Sequence, residues 1–169
     1  MKKEACLSIV EDESRGKVLM ILHKRGINEG FVNFPGGKKE IGETMLECVV
    51  RETEEETGIK LFNPVEVGYI EFPTKEFAVT IFRSTEFTGE LKSSEGEADA
   101  FWQDKNEMPY DKMRAADVDF VPLVLAGKKV RRQYFYDDKF MIEKIATRTE
   151  QNAAKIARDR AAHVRYAVF

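Results

Sequence analysis

The chain has 169 residues, 43% hydrophobic and 34% charged, a size and balance that fit one globular domain with a buried core and exclude a disordered or fibrous chain. A net charge of −3 and a pI near 5.6 exclude a general nucleic-acid binder, which needs a basic footprint. No apolar run approaches membrane length, MKKEACLSIVEDE turns to charge too soon for a secretory leader, and Cys6 and Cys48 lack any pairing pattern or ligand spacing, so the chain reads as cytoplasmic with reduced thiols.

In chain order, residues 4–10 and 17–24 alternate like two strands joined by a turn at 13–16. Pro35, Gly36 and Gly37 then give a loop whose backbone amides can approach an anion closely, a cradle for phosphate. A helix is predicted over 44–57: Thr44 and Glu47 form a capping box, and Gly58 stands where a left-handed residue ends a helix. Its core stripe is Leu46, Val49, Val50, Thr53 and Thr57. Residues 65–72 and 77–87 read as two more strands and 100–103 as a short one. A second helix is predicted over 117–126, with Pro122 tolerable in its first turn. Residues 133–145 return to a strand pattern. The last segment, 149–166, is helical in composition and basic, with Lys155, Arg158, Arg160 and Arg165 against Asp159. We divide the chain into a domain over 1–148 and a helical extension over 149–169, packed on it through Ile156, Val164 and neighbouring alanines; docking of that tail onto RNA or a protein is the other reading. Neither internal repeats nor low-complexity segments are visible.

Between Gly37 and Ile59 lies the most informative stretch, GKKEIGETMLECVVRETEEETGI. On a helix, Glu52, Glu55 and Glu56 fall at i, i+3 and i+4, so their side chains converge on one face and repel unless something cationic sits between them. Acidic runs are often solvated helix faces, each like-charge pair costing only about 0.2–0.5 kcal/mol. Here the cluster borders the core stripe, where it is costly without a partner. A divalent cation is the simplest one, and hard oxygen donors suit Mg2+, with Mn2+ as a substitute.

The same stretch resembles the Nudix box, G-x5-E-x7-R-E-U-x-E-E-x-G-U with U aliphatic, through Gly37, Glu43, Arg51, Glu52, Glu55, Glu56, Gly58 and Ile59. Thr53 departs at the first U; it is β-branched and on the core stripe, so little damage is expected. The resemblance implies the Nudix α/β/α sandwich, a mixed sheet between helices, and hydrolysis of a nucleoside diphosphate linked to another group. It implies that Glu52, Glu55 and Glu56, with the Gly36 carbonyl, hold Mg2+, and that an outlying acid assists; Glu97 is the candidate and Glu95 the competitor. Arg51 would pair with Glu43 or a metal-binding glutamate, although an ordinary helix-surface arginine is the simpler alternative.

KRGINEGFVNFPGGK and MRAADVDFVPLVL resemble the MutT-homologue branch, which hydrolyses oxidised purine nucleoside triphosphates such as 8-oxo-dGTP to the monophosphate and pyrophosphate. By that resemblance Asn33 and Asp117 read the purine edge, with His23, Pro35, Gly37 and Lys38 around the substrate. Asn33 is also a common turn residue, Asp117 a ready helix cap and His23 a common structural strand residue. Arg114 stands where the branch has an aromatic and Ala116 where it has a second acid; Arg114 could stack on a purine, and Phe77 or Phe34 could supply a ring. ADP-ribose hydrolases carry a proline about fifteen residues past the box, and Pro73 is the near match that makes them the alternative. Dinucleoside polyphosphate hydrolases rank lower, and a third alternative is a Nudix module that senses a nucleotide without catalysis. The expected partner is a small nucleotide, bound by a monomer or homodimer.

Overall fold

In the computed structural model of the protein, the structure describes residues 2–136 and 142–147. Apolar alternation makes the first strand, β1 (Lys3–Asp12), two-sided: Cys6, Ser8 and Val10 face one way, Leu7 and Ile9 the other. A turn at Gly16 returns the chain antiparallel as β2 (Lys17–His23), paired with β1 at Glu11–Val18 and Asp12–Lys17. Beyond that the two strands diverge. β3 (Val32–Asn33) pairs with β2, and the chain then crosses to β1, where Pro35 O accepts from Ser8 N–H (2.8 Å), Gly37 O accepts from Cys6 N–H (2.9 Å), and Glu4 O accepts from Lys39 N–H (3.0 Å). Residues 32–39 therefore fill the wedge between β1 and β2.

Next come α1 (Met45–Thr57), β4 (Lys60–Phe62), β5 (Val65–Phe72), β6 (Phe77–Ser84), β7 (Glu86–Thr88), β8 (Ala98–Asp104), α2 (Ala115–Leu125), β9 (Val130–Tyr136) and β10 (Ile142–Thr147). Among the described residues the main sheet runs β10-β9-β5-β6-β1-β2-β3, with β8 also on β2. β1 and β6 pair in parallel, as do β5 and β9; the other pairs are antiparallel, which makes the sheet mixed. α1 packs on one face against Cys6, Val10, Leu19 and Phe82. α2 packs on the other against Ile9, Val18, Met20 and Ile81. The alternation of single strands thus builds an α/β/α sandwich.

α1 obeys its local signals: Thr44 Oγ1 accepts from Glu47 N–H (3.2 Å), the Glu47 carboxylate accepts from Thr44 N–H (2.7 Å), and Gly58 closes the helix at φ 72°. Its buried stripe is Cys48, Val49, Thr53 and Thr57, while Leu46 stays half exposed. Leu46 lies at the flank of that stripe, over a surface groove shared with Val50 and Lys60. Three other expectations are corrected. The strand over 77–87 breaks at Ser84, whose Oγ lies 2.9 Å from the carbonyls of Phe62 and Glu86, so that β7 leaves the main sheet to pair with β4. The strand over 133–145 is two strands, β9 and β10, paired antiparallel. Pro122 sits in the last turn of α2 rather than the first, and its carbonyl accepts the closing bond from Ala126 N–H (3.1 Å). The helix predicted over 149–166 lies outside the described residues.

Candidate active site

Two glycines set the geometry. Gly36 runs so close to β1 that a Cβ there would lie 2.2 Å from the Cys6 carbonyl oxygen, and a Cβ on Gly37 would lie 2.3 Å from the Glu52 carboxylate. Because the Pro35 carbonyl turns toward β1, the Gly36 N–H of the same trans peptide points away from it and donates to Glu56 Oε2 (2.9 Å). The bare loop thus admits two carboxylates from α1 against its backbone. Thr53, at the position where an aliphatic residue is usual, anchors the helix here: its Oγ1 lies 2.7 Å from Ser8 Oγ, and the Ser8 hydroxyl donates to Pro35 O (3.1 Å).

Arg51 organises the rest. Its guanidinium donates to both oxygens of Glu43 (2.8 and 3.1 Å), to Glu52 and Glu55 (3.0 Å each) and to the Lys38 carbonyl (3.2 Å). The bidentate contact with Arg51 holds the Glu43 carboxyl down at about 2. Burial pushes Glu52 up and Glu56 up to about 7, with the Glu52 and Glu55 charges adding to the Glu56 shift and the Gly36 N–H opposing it. The three glutamates share a face, as their spacing requires. Arg51 takes the cationic position between Glu52 and Glu55, Glu56 turns to Gly36, and among the described residues no three His, Cys, Asp or Glu side chains stand together as a ready ligand set.

These residues fit a hard dication. They offer carboxylate oxygens and a backbone carbonyl, and the missing Cβ of Gly37 leaves Glu52 room at the loop. Glu97 stands apart: it is exposed at the start of β8 and pairs with Arg25, while Glu95 is exposed two residues earlier.

On the opposite face, Asp117 is buried in the first turn of α2 with Oδ2 unpartnered, and burial lifts its carboxyl to about 7. Asn33 ends β3; its Oδ1 accepts from Phe34 N–H (2.8 Å), a turn-type contact that leaves the carboxamide NH2 for other partners. His23 ends β2, half-buried, its pKa lowered by burial and by the Arg114 charge. Arg114 stacks on Phe31 at 3.7 Å and donates to Ile27 O (2.5 Å) and Asn28 Oδ1 (3.1 Å). With Lys3, Phe72 and Phe77 it lines a cavity of about 380 Å³, in which the two phenylalanines stack at 5.8 Å. Phe34 is 1% exposed within the core and cannot offer a ring to a ligand. Sequence reasoning missed Lys3, Phe72 and Phe31, which ordinary strand and loop patterns do not distinguish.

Residues 1–124 match the family described as the NUDIX domain. The chain belongs to the Nudix family. It is a Nudix hydrolase, 34% identical over 127 residues, 73% of this chain and 81% of the relative, to an oxidized purine nucleoside triphosphate hydrolase of Danio rerio. An ADP-ribose pyrophosphatase of Methanocaldococcus jannaschii is 33% identical over 101 residues, 57% of this chain and 60% of the relative. The crystal structure of a MutT protein from Bacillus halodurans superposes with a TM-score of 0.75 at 29% identity, covering 88% of this chain and 99% of that one. Among the described residues no helix is long and apolar enough to cross a membrane.

Proposed function

We propose that this Nudix hydrolase cleaves a nucleoside triphosphate to the monophosphate and pyrophosphate with Mg2+, and that oxidised purine nucleotides such as 8-oxo-dGTP are its first substrates. One observation carries the reading: a single loop, 33–37, runs from the purine-reading candidate Asn33 to Gly36, whose N–H holds Glu56 on the carboxylate face of α1. Likeness to the Danio rerio hydrolase over most of both chains supports it.

Glu52, Glu55, Glu56 and the Gly36 carbonyl would hold the metal, which when bound neutralises phosphate charge and supplies hydroxide near neutral pH. Arg51 and Glu43 orient the glutamates, acting through them rather than on the substrate. Glu97 would join the site only on leaving Arg25. Pro35, Gly37 and Lys38 would pass the phosphates along the loop backbone, and His23 would stand beside the ribose or base. Burial lifts the Asp117 carboxyl to about 7, so its protonated form is available near neutral pH to donate to one ring nitrogen or carbonyl while Asn33 donates through its NH2.

The test is a Mg2+-supplemented screen of oxidised and unmodified nucleoside triphosphates, ADP-ribose, dinucleoside polyphosphates and capped RNA, with products resolved by chromatography. Release of pyrophosphate fastest from an oxidised purine triphosphate is expected. Preference for ADP-ribose, the second reading, is favoured by the Methanocaldococcus jannaschii relative and by Pro73 at the turn between β5 and β6. Tight nucleotide binding without any product would overturn both.

A further inference from the structure

The two cysteines, 42 residues apart in sequence, meet in the structure. Cys48 Sγ on α1 lies 3.0 Å from Cys6 Sγ on β1, both as free thiols, 0% and 2% exposed. The pairing absent from their sequence spacing is created by the packing of α1 on the sheet. Both cysteines also border the loop: Cys6 N–H donates to Gly37 O (2.9 Å), and Cys48 Sγ lies 3.7 Å from the same oxygen. Gly37 in turn lies against the Glu52 carboxylate.

We propose that Cys6 and Cys48 are a site of reversible oxidation, in which a peroxide converts the two thiols to a disulfide that displaces Gly37 and suppresses hydrolysis. In the first step a thiolate sulfur attacks hydrogen peroxide: an S–O bond forms, the O–O bond breaks, and hydroxide leaves and is protonated to water. In the second, the neighbouring sulfur attacks the sulfenic sulfur: the S–S bond forms, the S–O bond breaks, and the oxygen leaves as a second water. Two thiols are oxidised by two electrons and one peroxide is reduced to two waters. Burial admits a small neutral oxidant and excludes bulky ones, while the adjacent sulfur captures the sulfenic acid before a second peroxide can. A disulfide needs its sulfurs at about 2.0 Å. Closing from 3.0 Å moves the sulfurs, and Gly37 O, 3.7 Å from Cys48 Sγ and bonded to Cys6 N–H, is the backbone atom beside the pair that takes up the shift.

The test uses the full chain, reduced and then treated with hydrogen peroxide, quenched with catalase, and denatured in iodoacetamide before intact-mass measurement. Two alkylated thiols are expected before peroxide; afterwards none are expected, with a mass lower by about 2 Da and a Cys6–Cys48 linked peptide, all reversed by dithiothreitol. On a substrate found in the screen, turnover should fall at least about tenfold with oxidation and return on reduction, since ångström-scale displacements of catalytic groups carry such penalties. Cys48→Ala should keep its turnover through the same treatment. Two alkylatable thiols after peroxide, or sulfinic acid on one sulfur with the other free, would overturn the pairing. Disulfide formation at unchanged turnover would overturn the link to Gly37. Mass and peptide mapping need neither a folded variant nor a substrate, so failure of the nucleotide reading leaves the oxidation result legible.

Discussion

At the scale of single residues, the site rests on atoms that are missing as much as on those present. Gly37→Ala places a methyl group where the Glu52 carboxylate lies, a flexible group that can move aside. We therefore expect a large loss of turnover with little loss of stability. Gly36→Ala meets the Cys6 backbone instead, and should destabilise the protein by about 1–3 kcal/mol, read by urea unfolding. Glu56→Gln should keep the fold, since a carboxamide oxygen still accepts from Gly36 N–H, and lower Mg2+-dependent turnover by about a hundredfold or more. Asp117 adds a pH signature. Its carboxyl titrates near 7 when folded against 3.8 ordinarily, so the folded state binds the proton more tightly. That stabilisation is complete below the unfolded value and is lost as pH rises toward 7, by on the order of 4 kcal/mol. Asp117→Asn should remove this slope from unfolding free energies measured between pH 4 and 8. The acidic residues of the box were legible because their offsets alone put them on one helix face. The cavity side was less so: Arg114 and Phe77 were visible as candidates, but Lys3, Phe72 and Phe31 join them only through tertiary packing.

Elements were readable where their signals are local. The capping box of α1 lies within four consecutive residues, and Thr44→Ala should cost about 1 kcal/mol by thermal or urea unfolding. Boundaries failed where the deciding contact is remote. Ser84 ends β6 by bonding to Phe62, 22 residues earlier, and no window of sequence around 77–87 contains that partner. β3, β4 and β7, two or three residues each, are too short to carry an alternation. Pro122 lies inside α2, where it leaves the Val118 carbonyl without its helical N–H partner, and the helix ends three residues later at Leu125.

For the molecule as a whole, the parts of the sheet on either side of the β1–β2 wedge are tied by a charge that water does not reach. Glu11, 0% exposed, pairs with Arg83 on β6 and with Lys105 (2.6 Å) just after β8. Replacing both cations, Arg83→Met with Lys105→Met, should cost about 3–5 kcal/mol by urea unfolding at neutral pH, and adding Glu11→Leu should recover most of it, because the penalty is the stranded carboxylate. The strip of backbone that fills the wedge has a different consequence. Val32 and Phe34 root it among the side chains beneath α2, while two residues on, Gly36 is fastened to Glu56 of α1. With Asn33 reading the base and Glu56 serving the metal, as proposed, selectivity and turnover would be wired in series through a few peptide units. A poorly seated base that disturbs 33–34 should register as slower chemistry on an occupied enzyme, in kcat more than in KM, and descendants of this scaffold can exchange one end of the strip for a new ligand while inheriting the other end intact.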